Sequence, residues 1–357
     1  MNSIKAAAIA VLLIAFGGVL LLFEAVAGKF VESKHYVGLQ KDYLEFYEKH
    51  YKELHHLRDP HIEGSLAGLM KTPESLMFSV IGNGPQRVLI QGDSWAEQFL
   101  LSEPTRNVLE DFSGKGYTFT LSGTTSYAPS PMTVQLRKLR SEFGVKADYV
   151  VAVVDQTDIG DELCRYRNQR QYVDGKLFIR PYPFDSREIY SLEKLFAQQD
   201  IVYSNDWALT KVFKLAHIRF NAMLRSDDSA PKCGWDAISR PLREGVSAED
   251  RQYFLSVLEE YVGMVFSAAE TTRLFLVTHP HRLHDVGEYK LDVRELLLEA
   301  VSKSEHKSRI SIIDFPRVTG KPADLTMYRE GDPASHLTDE SHAKNYVPPI
   351  LKSLRER

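Results

Sequence analysis

The sequence predicts an α/β domain built on a parallel sheet with helices on both faces. Three observations lead there. Short apolar runs rich in β-branched residues, of which Tyr149–Val154 (YVVAVV) is the clearest, are separated by helical stretches. Their apolar residues are consecutive instead of alternating, as in strands buried on both faces. The chain has 357 residues, 43% apolar and 26% charged, enough for one large domain with attachments and incompatible with wholesale disorder.

The elements follow in order. Ala6 to Phe23 carries no charge and would form a helix roughly 27 Å long, close to the thickness of a bilayer's hydrocarbon core. Lys5 precedes this run and Glu24 ends it. An uncleaved anchor over residues 1–28 is therefore expected. It would make a single-pass protein of the cytoplasmic (inner) membrane, with the large domain periplasmic or extracellular. Ala25-Val26-Ala27 keeps a cleaved signal peptide open as the alternative. Residues 29–80 read as a helical linker, because Tyr43, Phe46, Tyr47, Tyr51 and Leu54 recur at helical spacing.

The main domain is expected over 81–357. Strands are expected at 87–91, 117–121, 149–154, 274–278 and 310–314. Helices are expected at 95–111 (broken at Pro104), 135–143, 206–224, 248–268 and 290–304. Residues 165–245 fit this alternation poorly and read as an insertion that caps the domain. They include a strand-like segment, Lys176–Arg180. Cys164 and Cys233 flank this region; in an exported domain they either join in a disulfide or stay free and buried.

Composition excludes several functions. A net charge of −4 argues against a nucleic-acid partner. Two cysteines cannot build a Cys₄ zinc site or a disulfide scaffold. No glycine-rich phosphate loop follows a strand, and neither a cofactor nor a metal is expected.

Two segments carry chemistry. Gly92-Asp93-Ser94-Trp95 lies between an expected strand and an expected helix. A serine there has its hydroxyl at the carboxyl edge of the sheet and its N–H at a helix N-terminus, where an oxyanion is stabilised. Near the C-terminus, Asp332-Pro-Ala-Ser-His336 precedes a helix that Thr338 would cap. A loop histidine with an aspartate upstream suits a general base.

These segments resemble, in order, the blocks of the SGNH (GDSL-like) hydrolase family, spread over about 87–345. Gly92-Asp93-Ser94 is similar to the block that supplies the nucleophile, Ser94. Leu121-Ser122-Gly123 is similar to the block whose glycine, Gly123, gives an N–H to the oxyanion hole alongside that of Ser94. Val151-Ala-Val-Val-Asp155-Gln-Thr157-Asp158-Ile-Gly160 resembles the third block, and residues 332–336 the last, which holds the Asp and His. The resemblance implies a flavodoxin-like three-layer α/β/α sandwich. The third block has Thr157 where the family has an oxyanion-hole asparagine, so the Thr157 hydroxyl or neighbouring Gln156 stands in for the missing amide. Asp332 lies four residues before His336 where the family has three, and Asp339-Glu-Ser-His342 shows the family spacing. His336 is preferred, with Asp332 or Asp339 as its support.

Two further segments suggest substrate contacts. Thr278-His279-Pro280-His281-Arg282-Leu283-His284 follows a strand and places His279 and His281 on a substrate-facing loop, with a metal-binding role as the weaker reading. Arg165, Arg167, Arg170 and Arg180, interleaved with Tyr166, Tyr172 and Tyr182, would suit an anionic glycan, Arg165 foremost. The expected function is removal of O-acyl groups, chiefly acetyl, from a polysaccharide or envelope glycan through a Ser94–His336–Asp332 acyl-enzyme. Two alternatives stand beside it. One is an O-acetyltransferase using the same chemistry beside a membrane acyl donor or export protein. The other is a non-catalytic glycan-binding subunit.

Overall fold

The structure, a computed structural model, describes residues 17–29, 78–179, 206–224, 233–267, 271–279, 290–315, 325–330, 332 and 336–356. The chain divides into two units. The larger comprises residues 50–184 and 230–357, and the smaller residues 1–49 and 185–229.

The larger unit contains a six-stranded sheet. Its strands are β1 (Ser79–Ile81), β2 (Gln86–Gly92), β3 (Tyr117–Gly123), β4 (Tyr149–Val153), β7 (Arg273–Val277) and β8 (Ile310–Ile313), in the order β1-β3-β2-β4-β7-β8. All pairings are parallel except that of β1 with β3. The sheet is thus mixed, not purely parallel as expected. Its five parallel strands follow the doubly wound order, with the direction of winding reversing between β2 and β4. β5 (Arg170–Val173) and β6 (Lys176–Ile179) form a separate antiparallel hairpin. Its turn residues Asp174 and Gly175 both have positive φ, the two-residue geometry that a twisted hairpin requires.

Helices flank the sheet in two groups. One contains α2 (Ser94–Leu101), α3 (Glu103–Ser113) and α11 (Val347–Arg355). The other contains α4 (Pro129–Ser141), α8 (Ala248–Phe266) and α9 (Val293–Lys303). The alternation along β2 separates them. Gln91 donates to the Met132 carbonyl and accepts from the Tyr261 hydroxyl on the second group. Val88, three residues away and so on the opposite face, is in register with Phe119, which packs on Phe112 of α3. Leu89, Ile90, Leu121, Val150, Val151, Leu274 and Leu276 are buried in the core. Each such side chain contributes about 1.5–3 kcal/mol by leaving water.

The expected helix over 95–111 is two helices. Ser102 leaves helical geometry and its hydroxyl accepts from the Thr105 N–H, while Pro104 sits in the first turn of α3, where its missing N–H costs nothing. The helix expected at 135–143 begins earlier, at Pro129. Asp158–Asp161 forms the short α5, the expected helix 206–224 is α6 (Ala208–Leu224), and Trp235–Glu244 forms α7. Cys164 and Cys233 are joined in a disulfide that closes the base of the inserted segment. Thr338 caps α10 (Asp339–Ser341), as expected.

In the smaller unit the described elements are α1 (17–29) and α6. Among the described residues no helix is long and apolar enough to cross a membrane. Residues 6–16 of the expected span, and 30–77 of the expected linker and its junction with the main domain, lie outside the described residues.

Candidate active site

Ser94 is the first residue of α2, immediately beyond β2 and beside the reversal in strand order. Asp93 caps this helix: its carboxylate accepts from the Trp95 N–H at 3.0 Å. The Ser94 N–H, in the first turn, has no acceptor within the helix and lies at the positive end of the helix dipole. Gly123 ends β3, opposite Gly92 in register. A Cβ at Gly123 would stand 2.1 Å from the Ala96 carbonyl carbon and the Glu97 nitrogen, so only glycine lets α2 lie against β3 here.

His336 comes from the other end of the chain. Its Nε2 is 2.6 Å from Ser94 Oγ and its Nδ1 is 2.5 Å from Asp332 Oδ2. With the Nδ1 proton donated to the carboxylate, Nε2 is left as the acceptor for the serine hydroxyl. An imidazole so held can take the serine proton as the hydroxyl attacks a carbonyl, and Asp332 can stabilise the resulting imidazolium. Ser94 is half-buried and the His336 side chain is 17% exposed, so the pair is reachable from solvent.

The His336 loop is held by residues the motifs did not reveal. Gln98 of α2 donates through Nε2 to the Leu337 carbonyl at 2.9 Å. The Arg329 N–H donates to the His336 carbonyl at 2.8 Å, and its guanidinium bonds Asp339 at 2.9 Å. Leu337 pairs with Tyr328 in an antiparallel bridge. Asp339 is therefore engaged by Arg329, and it is Asp332 that reaches His336. His342, the other histidine considered, is buried in the helical segment beyond α10. It bonds Thr105 Oγ1 at 2.8 Å, and burial lowers its pKa to about 3.

Beside Ser94 lies a buried polar cluster. Asp155, just past β4, accepts from the Thr157 N–H at 3.0 Å and from the Thr157 hydroxyl at 2.7 Å. Its Oδ1 is 2.5 Å from His279 Nε2, and the His279 ring stacks on Trp95 with centroids 3.7 Å apart. Burial pushes the Asp93 carboxyl well above the usual carboxylate range, and the nearby Asp155 charge adds to this. Asp158 is raised as well, again chiefly by burial and then by Asp93 and Asp155. Ligand atoms of Asp93, Asp155 and Asp158 lie within 4.8 Å of one another. All three carboxylates are already engaged, Asp93 by the Trp95 N–H, Asp155 by Thr157 and His279, and Asp158 by the Asp155 N–H, and the weakened acidity of Asp93 and Asp158 favours neutral carboxyls over a charged cage.

Several expectations change at this level. Both Thr157 donors are directed at Asp155, so its hydroxyl is not presented to the cleft. Gln156 is 4% exposed, and its side-chain oxygen accepts from the Val293 N–H at the start of α9. His279 is 1% exposed and lies under Trp95 instead of facing a substrate. His281 and His284 lie outside the described residues. Arg165 is 8% exposed and pairs with Asp161 at 3.1 Å while donating to the Cys233 carbonyl. Arg167 pairs with Glu249 and Asp250, and Arg170 with Glu260, all on α8. Tyr166 is buried and donates to the Ser126 carbonyl. Among the described residues Arg165, Arg167, Arg170 and Tyr166 are thus engaged within the protein, while Tyr172 is 57% exposed. Arg180 and Tyr182 lie outside them.

No family model and no curated protein sequence matches the chain. Among solved structures it is similar to an acetyl xylan esterase from the rumen bacterium Butyrivibrio proteoclasticus, at 7% identity and a TM-score of 0.39. That match covers 77% of this chain and 64% of the esterase. It is also similar to a carbohydrate esterase family 2 enzyme with a carbohydrate-binding domain from Corynascus thermopiles (Myceliophthora fergusii). There the identity is 11% and the TM-score 0.40, covering 77% of this chain and 67% of that one. A lipase from a goat rumen metagenome matches at 14% identity and a TM-score of 0.32, covering 76% of this chain and 96% of the lipase. The chain thus spans just under two thirds of the first of these proteins.

Proposed function

We propose that the chain is a serine esterase of the SGNH type that removes O-acyl groups, chiefly acetyl, from a polysaccharide or envelope glycan. The observation that carries the reading is the hydrogen-bonded chain from Asp332 through His336 to Ser94 at the carboxyl edge of the sheet. In the first half-reaction Ser94 Oγ attacks the ester carbonyl and its proton passes to His336 Nε2. The N–H groups of Ser94 and Gly123 hold the oxyanion, and His336 returns the proton to the departing sugar oxygen. In the second half-reaction His336 activates water, which releases the acyl group and frees Ser94.

The same reading places the protein in the cytoplasmic membrane through residues 6–23, with the domain outside. The uncharged run supports this, as does the Cys164–Cys233 disulfide, since such bonds persist in oxidising compartments.

The test is labelling of the purified protein with a fluorophosphonate, followed by assay on O-acetylated glycans. Labelling and acetate release that both vanish in Ser94→Ala and His336→Ala support the esterase. Acetate transferred to an acceptor sugar instead of water assigns the same acyl-enzyme to a transferase. A folded wild type that is never labelled overturns the catalytic reading in favour of a glycan-binding subunit.

A further inference from the structure

We propose that α6 is a second membrane element, an interfacial helix lying on the bilayer where the anchor leaves it. It would seat Trp207, Phe213 and Phe220 among headgroups and upper acyl chains. This rests on the membrane-anchor part of the reading above and goes beyond it, because α6 lies some 180 residues downstream of the anchor.

Three observations within the smaller unit carry the proposal. First, α6 has apolar residues on two opposite sides. Leu215 is 7% exposed, whereas Phe213 is 68% and Phe220 58% exposed. Residues 213 and 220 are two helical turns apart and share one stripe, while 215 is about 200° round from 213. A helix that faces water on its outer side carries one apolar stripe, and the second needs an apolar environment.

Second, the start of α6 is tied to the end of the anchor. Glu24 is the first charged residue after the uncharged run, so it marks the depth at which the chain reaches the membrane surface. Its carboxylate accepts from the N–H groups of Ala208 and Leu209, satisfying two of the orphan donors of α6. That bond fixes the first turn of α6 at the surface level. Trp207, 65% exposed, immediately precedes that turn, and tryptophan is the side chain most at home in the headgroup zone.

Third, both helices carry exposed apolar side chains. Leu21, Leu22 and Phe23 of α1 are 65%, 66% and 59% exposed, belong to the run expected in lipid, and end at the residue that caps α6. A bilayer covers both helices at once. A folded partner would have to match the end of a membrane span and a surface helix together.

The experiment reconstitutes the full chain into phosphatidylcholine vesicles whose acyl chains are brominated near the carbonyl end, and reads tryptophan emission. Trp207 is one of three tryptophans, so its share is the difference between wild type and Trp207→Phe. The expected result is bromine quenching of wild type that is mostly lost in Trp207→Phe. A Phe213→Ser/Phe220→Ser variant should be quenched less yet still float with the vesicles. Protein that floats while Trp207 is quenched by aqueous acrylamide and not by bromine overturns the proposal and leaves the anchor standing. If neither quencher acts and emission depends on the protein-to-lipid ratio, a second copy covers the face and the proposal also falls. Protein that fails to float overturns the anchor, and the proposal with it.

Discussion

Asp332 stands four residues before His336, one more than the spacing of the family the motif resembles, and its carboxylate still meets Nδ1 at 2.5 Å. The contact depends on the loop's ends being pinned, by Gln98 and Arg329 around residues 336 and 337. Asp332→Asn would keep the shape but favour the wrong imidazole tautomer. We expect kcat to fall by about 10²–10⁴-fold with KM little changed. Asp339→Asn should cost far less in kcat, and steady-state kinetics of the two variants separate the roles.

His279 and Trp95 make a different prediction. With the imidazole buried under the indole and bonded to Asp155, His279→Ala removes the stacking partner of Trp95, which follows Ser94, and takes one partner from Asp155. The expected outcome is a stability loss of about 2–4 kcal/mol in urea unfolding, with KM for an acetyl ester unchanged. A raised KM with normal stability would restore the histidine to the substrate surface.

His342 sets an acid limit. Its folded-state pKa is about 3, below the ordinary histidine value, so the unfolded chain binds the proton more readily. The stabilisation is fully present above about pH 6.5 and is lost as pH falls toward 3. His342→Gln should flatten the decline of Tm across that window, measured by calorimetry at several pH values.

Glu162 acts in the opposite sense. Burial raises its pKa to about 7, although the Ser130 N–H and hydroxyl and the Tyr253 hydroxyl all donate to it. The folded state holds this proton more tightly, so stability is present below about pH 4.5 and is lost as pH rises toward 7. Glu162→Gln keeps the shape without the charge. It should raise Tm at pH 8 relative to wild type, and an unchanged difference between pH 5 and pH 8 would count against the assignment.

Reduction of the Cys164–Cys233 bond reopens a segment with a sequence separation of 69. The loop-closure entropy is worth about 4 kcal/mol. Cys164→Ser/Cys233→Ser should lose stability of that order, with fluorophosphonate labelling of Ser94 retained at temperatures where the variant is folded.

Strands β2, β3, β4, β7 and β8 were legible within two residues because burial on both faces demands an unbroken apolar run. The three-residue edge strand β1 makes no such demand and leaves no such run. Helix α4 was expected six residues late because its first turn, Pro129-Ser-Pro, reads as a loop until the prolines are seen at positions that need no N–H donor. At the site, Ser94, Asp332 and His336 stood out because helix-start and loop positions have local signatures. The engagement of His279, Arg165, Arg167 and Arg170 was hidden. In three of the four cases the partner carboxylate is far away in sequence: Asp155 is 124 residues from His279, and Glu260 is 90 from Arg170. Nothing in a local pattern distinguishes an arginine bound to a remote glutamate from one awaiting a ligand.

The close approach at Gly123 carries a consequence for variation and redesign. Since even one methyl group there would collide with the backbone of residues 96 and 97, the close approach of α2 to β3 is set by a missing atom. Rotamer changes cannot absorb such a collision, because both parties are main chain. This contact works like a hard stop, and a library that randomises position 123 should return glycine alone among folded, active clones.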